Sequence, residues 1–215
     1  MGSIDKSLKD VLSKWKDKQE KEPKGSVKNT SKKLDYRDKF APDGLLGCET
    51  QWINAKIKVL HMLKAPNWES DLGYRDDYFW FKDVVDGTGI HNSCLLEKLG
   101  REQHFLETGE YESVAADYMR LKNAAFMNLS KRGGGNIWTD EDYTHLTEYV
   151  KYYQENIIDE IVALKPDVIV CYDTYRWVKV LLPLLKSEKN CMYSGKPIRR
   201  NYNKNIMVVK VKWVD

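Results

Sequence analysis

Several sequence features that would indicate a protein class are scarce or missing in this 215-residue chain. No hydrophobic run approaches the roughly 20 residues that a membrane-spanning helix needs, so no membrane partner is expected. The first ten residues lack the apolar segment of a signal peptide. The chain has only four cysteines, and no pair has the spacing of a zinc or iron–sulfur site: Cys48, Cys94, Cys171 and Cys191. Such scattered thiols favour a reducing compartment, so we expect a cytoplasmic protein, nucleoid-associated if bacterial.

The common signatures of phosphate-binding and hydrolytic enzymes are absent as well. The chain has no Walker A loop, no GxGxxG segment after a predicted strand and no GxSxG motif. The chain's four histidines have no metal-ligand spacing, so no metal site is expected: His61, His91, His104 and His145. No cofactor is expected either.

Positive charge is concentrated at both ends of the chain, although the net charge is only +3. Residues 1–40 contain 12 Lys and Arg against 7 Asp and Glu. Residues 186–212 contain eight basic residues, among them Arg199 and Arg200, against one acid. Each segment is either a solvated surface or a contact for the phosphate backbone of DNA.

The hydrophobic pattern predicts two regions. Residues 1–40 are expected to form a basic N-terminal arm, partly helical or disordered, and residues 41–215 a folded domain. Predicted strands alternate with predicted helices through the domain, which indicates an α/β fold whose central, mainly parallel sheet is covered by helices on both faces. The predicted strands are 57–63, 124–129, 167–172 and 205–214, and the predicted helices include 3–20, 139–165 and 174–186.

In such sheets, ligands bind at the carboxyl ends of the strands. Three segments follow predicted strands: "KAPNWESD", "NLSKRGGGN" and "YDTY". The second is the most informative, because a buried strand ends at Asn128 and is followed by Lys131, Arg132 and three glycines. An amide can donate to and accept from a base edge, cations can bind phosphates, and glycines allow backbone N–H groups to approach DNA closely. The alternative is a strand cap followed by a loop that binds no ligand.

These segments, taken in order, resemble the core of the uracil-DNA glycosylase superfamily. "AAFMNLSKRGGGN", a long helix and "LKPDVIVCY" carry most of the resemblance, and "VLHMLKAPN" and "GTGIHNSCLLEKLG" lie where earlier family segments lie. The similarity covers roughly residues 55–212. It implies a three-layer sandwich and an enzyme that hydrolyses the N-glycosidic bond of a base flipped out of DNA, leaving an abasic site.

The resemblance also implies a set of functional residues. The base would be recognised by Asn128 and approached by His91, and it would stack on Phe79 or Phe81, with Tyr78 as a further candidate. Asn67 and Asp71 would handle the attacking water, with Asp76 and Asp77 as alternatives to Asp71. The expected DNA contacts are Lys64, Lys131, Arg132, Gly133, Gly134, Arg199 and Arg200. DNA is the expected partner and the chain is expected to act as a monomer.

The chain departs from the family pattern in ways that affect the expected substrate. Leu63 stands where the first motif usually has glycine, Asn67 replaces a second glycine, and no His-Pro-Ser-like loop follows the last strand. Lys210 and Lys212 should instead form a basic outer stripe on that strand, opposite Val209, Val211 and Trp213. An altered or modified base is therefore expected, removed in base-excision repair or in defence against phage with modified DNA. Two alternatives are open: a non-catalytic DNA-binding module and a small-molecule nucleoside or nucleotide hydrolase.

Overall fold

The computed structural model describes eight segments of the chain: residues 2–23, 26–27, 40–66, 94–110, 118–132, 138–188, 191–194 and 206–213. The helices are α1 (Ser3–Glu20), α2 (Glu49–Ile53), α3 (Cys94–Thr108), α4 (Asp140–Tyr152), α5 (Gln154–Leu164) and α6 (Tyr175–Glu188), and a 3₁₀ helix spans Tyr118–Asn123. The strands are β1 (Gly44–Leu45), β2 (Val59–Leu63), β3 (Ala124–Asn128), β4 (Val168–Tyr172), β5 (Cys191–Ser194) and β6 (Ile206–Trp213).

The six strands form one mixed sheet in the order β1-β3-β2-β4-β6-β5. Its centre is parallel, with Leu60 of β2 facing Ala125 of β3 on one side and Ile169 of β4 on the other. β1 is antiparallel to β3, and β6 is antiparallel to both β4 and β5. The α/β class is confirmed, but the mainly parallel sheet is corrected to a mixed one. Hydrophobic periodicity shows which face of a strand is buried, not its direction, so the reversed β6 could not be recognised.

Alternate residues of the central strands face different hydrophobic clusters, as the two-residue period of a strand requires. Leu60 and Met62 belong to the largest cluster, which also contains buried side chains of α1, α4, α5 and α6. Val59 belongs to a second cluster with residues of β4 and β6, and Phe126 belongs to a third with Leu96 and Leu99 of α3. Within the described residues, no helix is long and apolar enough to span a membrane.

The predicted helix over 139–165 is in fact two helices that meet at Tyr153. Thr139 begins the first one with the expected capping box, because its backbone N–H donates to Asp142 Oδ2 at 2.8 Å and its hydroxyl accepts from Asp142 N–H. Tyr153 leaves helical geometry with φ −105° and ψ 18°, and its side chain is fully buried. The hydrophobic spacing continues in phase across this residue, so the pattern could not reveal the break.

The last strand has the predicted alternation. Val209 and Val211 are buried, whereas Lys210 and Lys212 are exposed. Trp213 lies partly buried at the margin of the largest cluster, and its Nε1–H donates to the carbonyl of Pro166 at 2.8 Å. The basic outer stripe predicted for β6 is therefore present.

Helix α1 packs on elements that follow residue 40. Trp15 has no exposed surface, lies against the Tyr153 ring at a centroid distance of 6.0 Å, and donates its Nε1–H to the Tyr149 hydroxyl at 3.1 Å. At the other end of α1, the backbone N–H groups of Ile4 and Asp5 donate to the Glu49 carboxylate. The helix over residues 3–20 was predicted, but the lysine-rich composition of the segment did not indicate that its apolar side is part of the core.

Replacing Trp15 with alanine should destabilise the whole domain. Removing a buried indole leaves a cavity, which typically costs about 3–5 kcal/mol of unfolding free energy. Urea unfolding monitored by far-UV circular dichroism would measure the change, with Lys14→Ala, an exposed position on the same helix, as the control. Equal stability of the two variants would restore the interpretation of α1 as a separate arm.

Candidate functional site

The carboxyl ends of β2, β3 and β4 meet at one edge of the sheet. Leu63 and Asn128 end neighbouring parallel strands in register. The segments that follow these two strands remain paired. The N–H of Leu129 donates to the carbonyl of Leu63 at 2.9 Å, and the N–H of Ser130 donates to the carbonyl of Lys64 at 2.8 Å. The segments after β2 and β3 are therefore fixed relative to each other. They lie at the edge of the sheet where parallel sheets bind their ligands.

Asn128 is the first polar residue at this edge. It is only 4% exposed, and its backbone N–H donates to Asp43 Oδ2 at 2.6 Å. Strand alternation places it on the same side of β3 as Ala124 and Phe126, which is the side of α3. The Asp43 carboxylate thus fixes the backbone of Asn128 at the end of β3.

A second polar group, formed by Lys64, Asp173 and Tyr143, lies on the other side of the edge. The Lys64 ammonium is 3.1 Å from Asp173 Oδ2 and donates to the Tyr143 hydroxyl at 3.3 Å, and that hydroxyl donates to the same carboxylate oxygen at 2.8 Å. Asp173 follows β4 in the left-handed conformation, with φ 55°. Such a conformation is uncommon for residues other than glycine and is enriched among aspartates.

Aromatic rings surround this polar group. The Lys64 ammonium lies 4.7 Å from the Trp138 ring centroid and 5.0 Å from that of Tyr143. On the same Tyr143 ring, the Arg176 guanidinium carbon lies 4.2 Å from the centroid, and it lies 4.1 Å from the centroid of Trp177. Both cations are therefore held by rings of this cluster, and Arg176 is exposed.

Lys131 and Arg132 are not placed as predicted, and we withdraw their assignment to DNA phosphates. Lys131 has no exposed surface and forms ion pairs with Asp43 and Glu160, while Arg132 is 1% exposed and pairs with Glu22. The sequence shows both cations next to a glycine-rich loop. Their acidic partners are distant along the chain. The neighbouring residues therefore did not indicate that the two cations form ion pairs inside the protein.

Two carboxyl groups, those of Asp43 and Glu160, contact the single ammonium of Lys131. Burial raises the pKa of Glu160 well above its usual range, and the nearby negative charge of Asp43 raises it further. Lys131 Nζ lies 2.8 Å from Glu160 Oε2, but this contact lacks the alignment of a hydrogen bond. Burial and the Asp43 charge thus favour the neutral form of Glu160, and Asp43, which also binds the Asn128 N–H, accepts a hydrogen bond from the Lys131 ammonium.

His61 and Cys171 are buried residues of the central strands, not reactive groups. Burial lowers the pKa of His61 to about 4, and the ring is neutral between the Tyr172 hydroxyl at 3.0 Å from Nδ1 and Gln103 Oε1 at 3.3 Å from Nε2. Burial raises the pKa of Cys171 to about 12, so its thiol stays protonated. Among the described residues, no group of His, Cys, Asp and Glu side chains could hold a metal ion.

The described part of the chain contains Lys64, Asn128, Lys131 and Arg132 from the predicted site. The remaining predicted residues lie outside it: Asn67, Asp71, Phe79, Phe81, His91, Gly133, Gly134, Arg199 and Arg200. Sequence reasoning did not identify Asp43, Tyr143 or Arg176. Position after a strand pointed to the segment that contains Asp173, but nothing in the sequence indicated that Tyr143 would reach it from α4.

No family model, curated protein or solved structure matches this chain. The resemblance to the uracil-DNA glycosylase superfamily therefore depends on the quoted segments.

Replacing Glu160 with glutamine should remove a pH dependence of stability. The raised pKa means that folding keeps Glu160 protonated. Its contribution is fully present below the unfolded-state pKa of about 4.3 and is lost as pH rises through the folded-state pKa. The stability of the wild type should thus fall relative to Glu160→Gln as pH increases from about 4 to neutral.

Urea unfolding over a series of pH values would measure this difference, with Glu148→Gln at an exposed position of α4 as the control. A wild-type minus Glu160→Gln difference that does not change with pH would show that Glu160 is ionised in the folded protein.

Proposed function

We propose that this chain is a monofunctional DNA glycosylase of the uracil-DNA glycosylase superfamily, with the three-layer sandwich of that family. The observation that carries the proposal is Asn128, which ends β3 beside the end of β2 and is held there through its backbone by Asp43. A base-recognising amide of this superfamily is expected at that strand end. The adjacency of the first three predicted domain strands, in the order β3-β2-β4, supports the same assignment.

The proposed reaction is hydrolysis at C1′ of a flipped nucleotide. A water oxygen bonds to C1′ as the bond from C1′ to the base nitrogen breaks, and the electron pair of that bond leaves with the base. The water gives up a proton, and the departing base takes one up. Asn128 would hydrogen-bond the base edge, and Lys64 supplies a positive charge at the same sheet edge. Asn67 and Asp71 would order the water, Phe79 or Phe81 would stack on the base, and His91 would approach it.

The proposed partner is DNA, bound by a monomer in the cytoplasm. Gly133, Gly134, Arg199 and Arg200 remain proposed backbone contacts, whereas Lys131 and Arg132 are excluded by their burial. The proposed substrate is an altered or modified base, and the role is base-excision repair or defence against phage with modified DNA. The replacement of two glycines of the first family motif by Leu63 and Asn67 supports a base other than unmodified uracil.

A non-catalytic DNA-binding module of the same fold is the second candidate. One observation favours it: Lys64, at the end of β2, is engaged by Asp173 and covered by the Trp138 and Tyr143 rings, so this side of the edge is already occupied. Incubation with oligonucleotides that carry different modified bases, followed by alkaline cleavage at abasic sites, separates the two. Binding without cleavage of any substrate would favour the non-catalytic module.

Asn128→Ala should lose most excision and keep its affinity for DNA. The lost amide contact is equivalent to about 1–3 kcal/mol, a roughly 5- to 150-fold lower single-turnover rate, while phosphate contacts are unchanged. Asn54→Ala, at an exposed position after α2, is the matched control and should retain the wild-type rate. An unchanged rate in Asn128→Ala would remove this residue from the site.

Excision of plain uracil from duplex DNA should be slow or absent, and a base with an electron-poor or bulky substituent should be removed faster. Lys64, the described cation at the end of β2, is already paired with Asp173, so it gives a departing base little help and the base itself must be a stable anion. General acid or electrostatic help of this kind is commonly worth about 100-fold or more. Single-turnover assays on matched oligonucleotides would measure both rates. Rapid uracil removal that survives both His91→Ala and Lys64→Ala would contradict this account of the leaving group.

A further inference from the structure

Arg176 is a fixed, exposed cation at the edge of the sheet. It lies in the first turn of α6, directly after the carboxyl end of β4. Its guanidinium carbon is almost equidistant from the Tyr143 and Trp177 ring centroids, at 4.2 and 4.1 Å. The two rings are nearly parallel, with an interplanar angle of 13° and centroids 6.1 Å apart. Contact with two rings restricts the guanidinium to a narrow range of positions.

The rings that hold Arg176 are themselves fixed. Trp177 is 4% exposed, and its Nε1–H donates to Thr147 Oγ1 at 3.0 Å. Tyr143 donates its hydroxyl to Asp173 Oδ2, which also accepts from Lys64. The nearest carboxylate of the cluster is therefore already engaged by two donors. Within the part of the chain that the structure describes, Arg176 forms no ion pair.

A positioned guanidinium that has no counter-ion among the described residues is suited to bind an oxyanion, because its planar fork can donate two parallel hydrogen bonds to a phosphate. The two cations that the sequence assigned to phosphates at this edge, Lys131 and Arg132, are buried in ion pairs. Lys64 is paired with Asp173. Among these four cations, Arg176 is the one that combines exposure and a fixed position with a charge that no described carboxylate pairs.

We propose that Arg176, supported by the Tyr143 and Trp177 rings, binds a backbone phosphate of DNA beside the nucleotide at the Asn128 edge. The inference rests on the proposed function and names a contact that replaces Lys131 and Arg132. Phosphate contacts fix the position of a protein on the duplex and carry no sequence information. Arg176 thus sets the register of the DNA relative to the edge and does not select the base.

The salt dependence of duplex binding tests this contact in the full chain. Each phosphate contact adds about −0.9 to the slope of log K against log salt concentration for duplex DNA. Arg176→Gln should therefore reduce the magnitude of the slope by about 0.9 and weaken binding to a similar extent on all sequences. Lys151→Gln, which removes one exposed positive charge at the far end of α4, should leave the slope unchanged.

Three further variants separate the effect of the Arg176 charge from that of the ring that supports it. Arg176→Lys should keep most of the slope but lower the affinity, because an ammonium lacks the planar fork. Tyr143→Leu removes the supporting ring and should weaken binding, whereas Tyr143→Phe keeps the ring and should retain the slope. Circular dichroism confirms that each variant is folded.

The results of these assays can show whether the Arg176 phosphate contact fails alone or together with the proposed glycosylase function. If the wild type binds and excises, but Arg176→Gln has the wild-type slope, the phosphate contact is wrong and the glycosylase proposal stands. If the wild type does not bind duplex DNA at any salt concentration, the contact and the proposed function both fall. A slope reduced equally by Arg176→Gln and Lys151→Gln would show diffuse attraction and would also overturn the contact.

Discussion

The buried cations that follow β3 connect parts of the chain that are far apart in sequence. Lys131 lies between Asp43 and Glu160, and Arg132 pairs with Glu22, whose carboxylate also accepts from the Tyr153 hydroxyl. Buried ion pairs of this kind cost desolvation and often add little net stability. Removing one partner is nevertheless strongly destabilising, because it leaves an uncompensated charge in the interior. These pairs therefore restrict how the connected segments can be arranged.

These buried contacts also affect the candidate site, because Asp43 binds both Lys131 and Asn128. One oxygen of this carboxylate accepts from the Asn128 N–H and the other from the Lys131 ammonium, so the end of β3 and the start of the following loop share one anchor. The glycine-rich segment begins immediately after Arg132, from a rigid base. Lys64, Asp173 and Tyr143 form an equally ordered polar group across the edge. Asn128 and the Lys64 group thus lie on opposite sides of one edge, with the Asn128 backbone held by Asp43 and the Lys64 ammonium held by Asp173.

The sequence predicted the features that depend on local pattern. The apolar runs that became β2, β3 and β4, the capping box at Thr139 and the alternation of Lys210 with Val209 and Val211 are all encoded within a few residues. Position at the end of a strand was enough to single out Asn128. Features that depend on distant partners were missed. The burial of Lys131 and Arg132 requires three acids from other segments, the docking of α1 requires the Trp15 contact with Tyr153, and the direction of β6 is set by its pairing with β4.

The central claim is that a base flipped out of DNA is recognised by the Asn128 amide at the carboxyl end of β3. The most direct test is a crystal structure of the full chain bound to a duplex that carries a 2′-fluoro nucleotide with a modified base, whose glycosidic bond resists hydrolysis. The account predicts an extrahelical base with its hydrogen-bonding edge at about 3 Å from the Asn128 side-chain amide. A base that stays stacked in the duplex, or one bound away from the ends of β2 and β3, would contradict it.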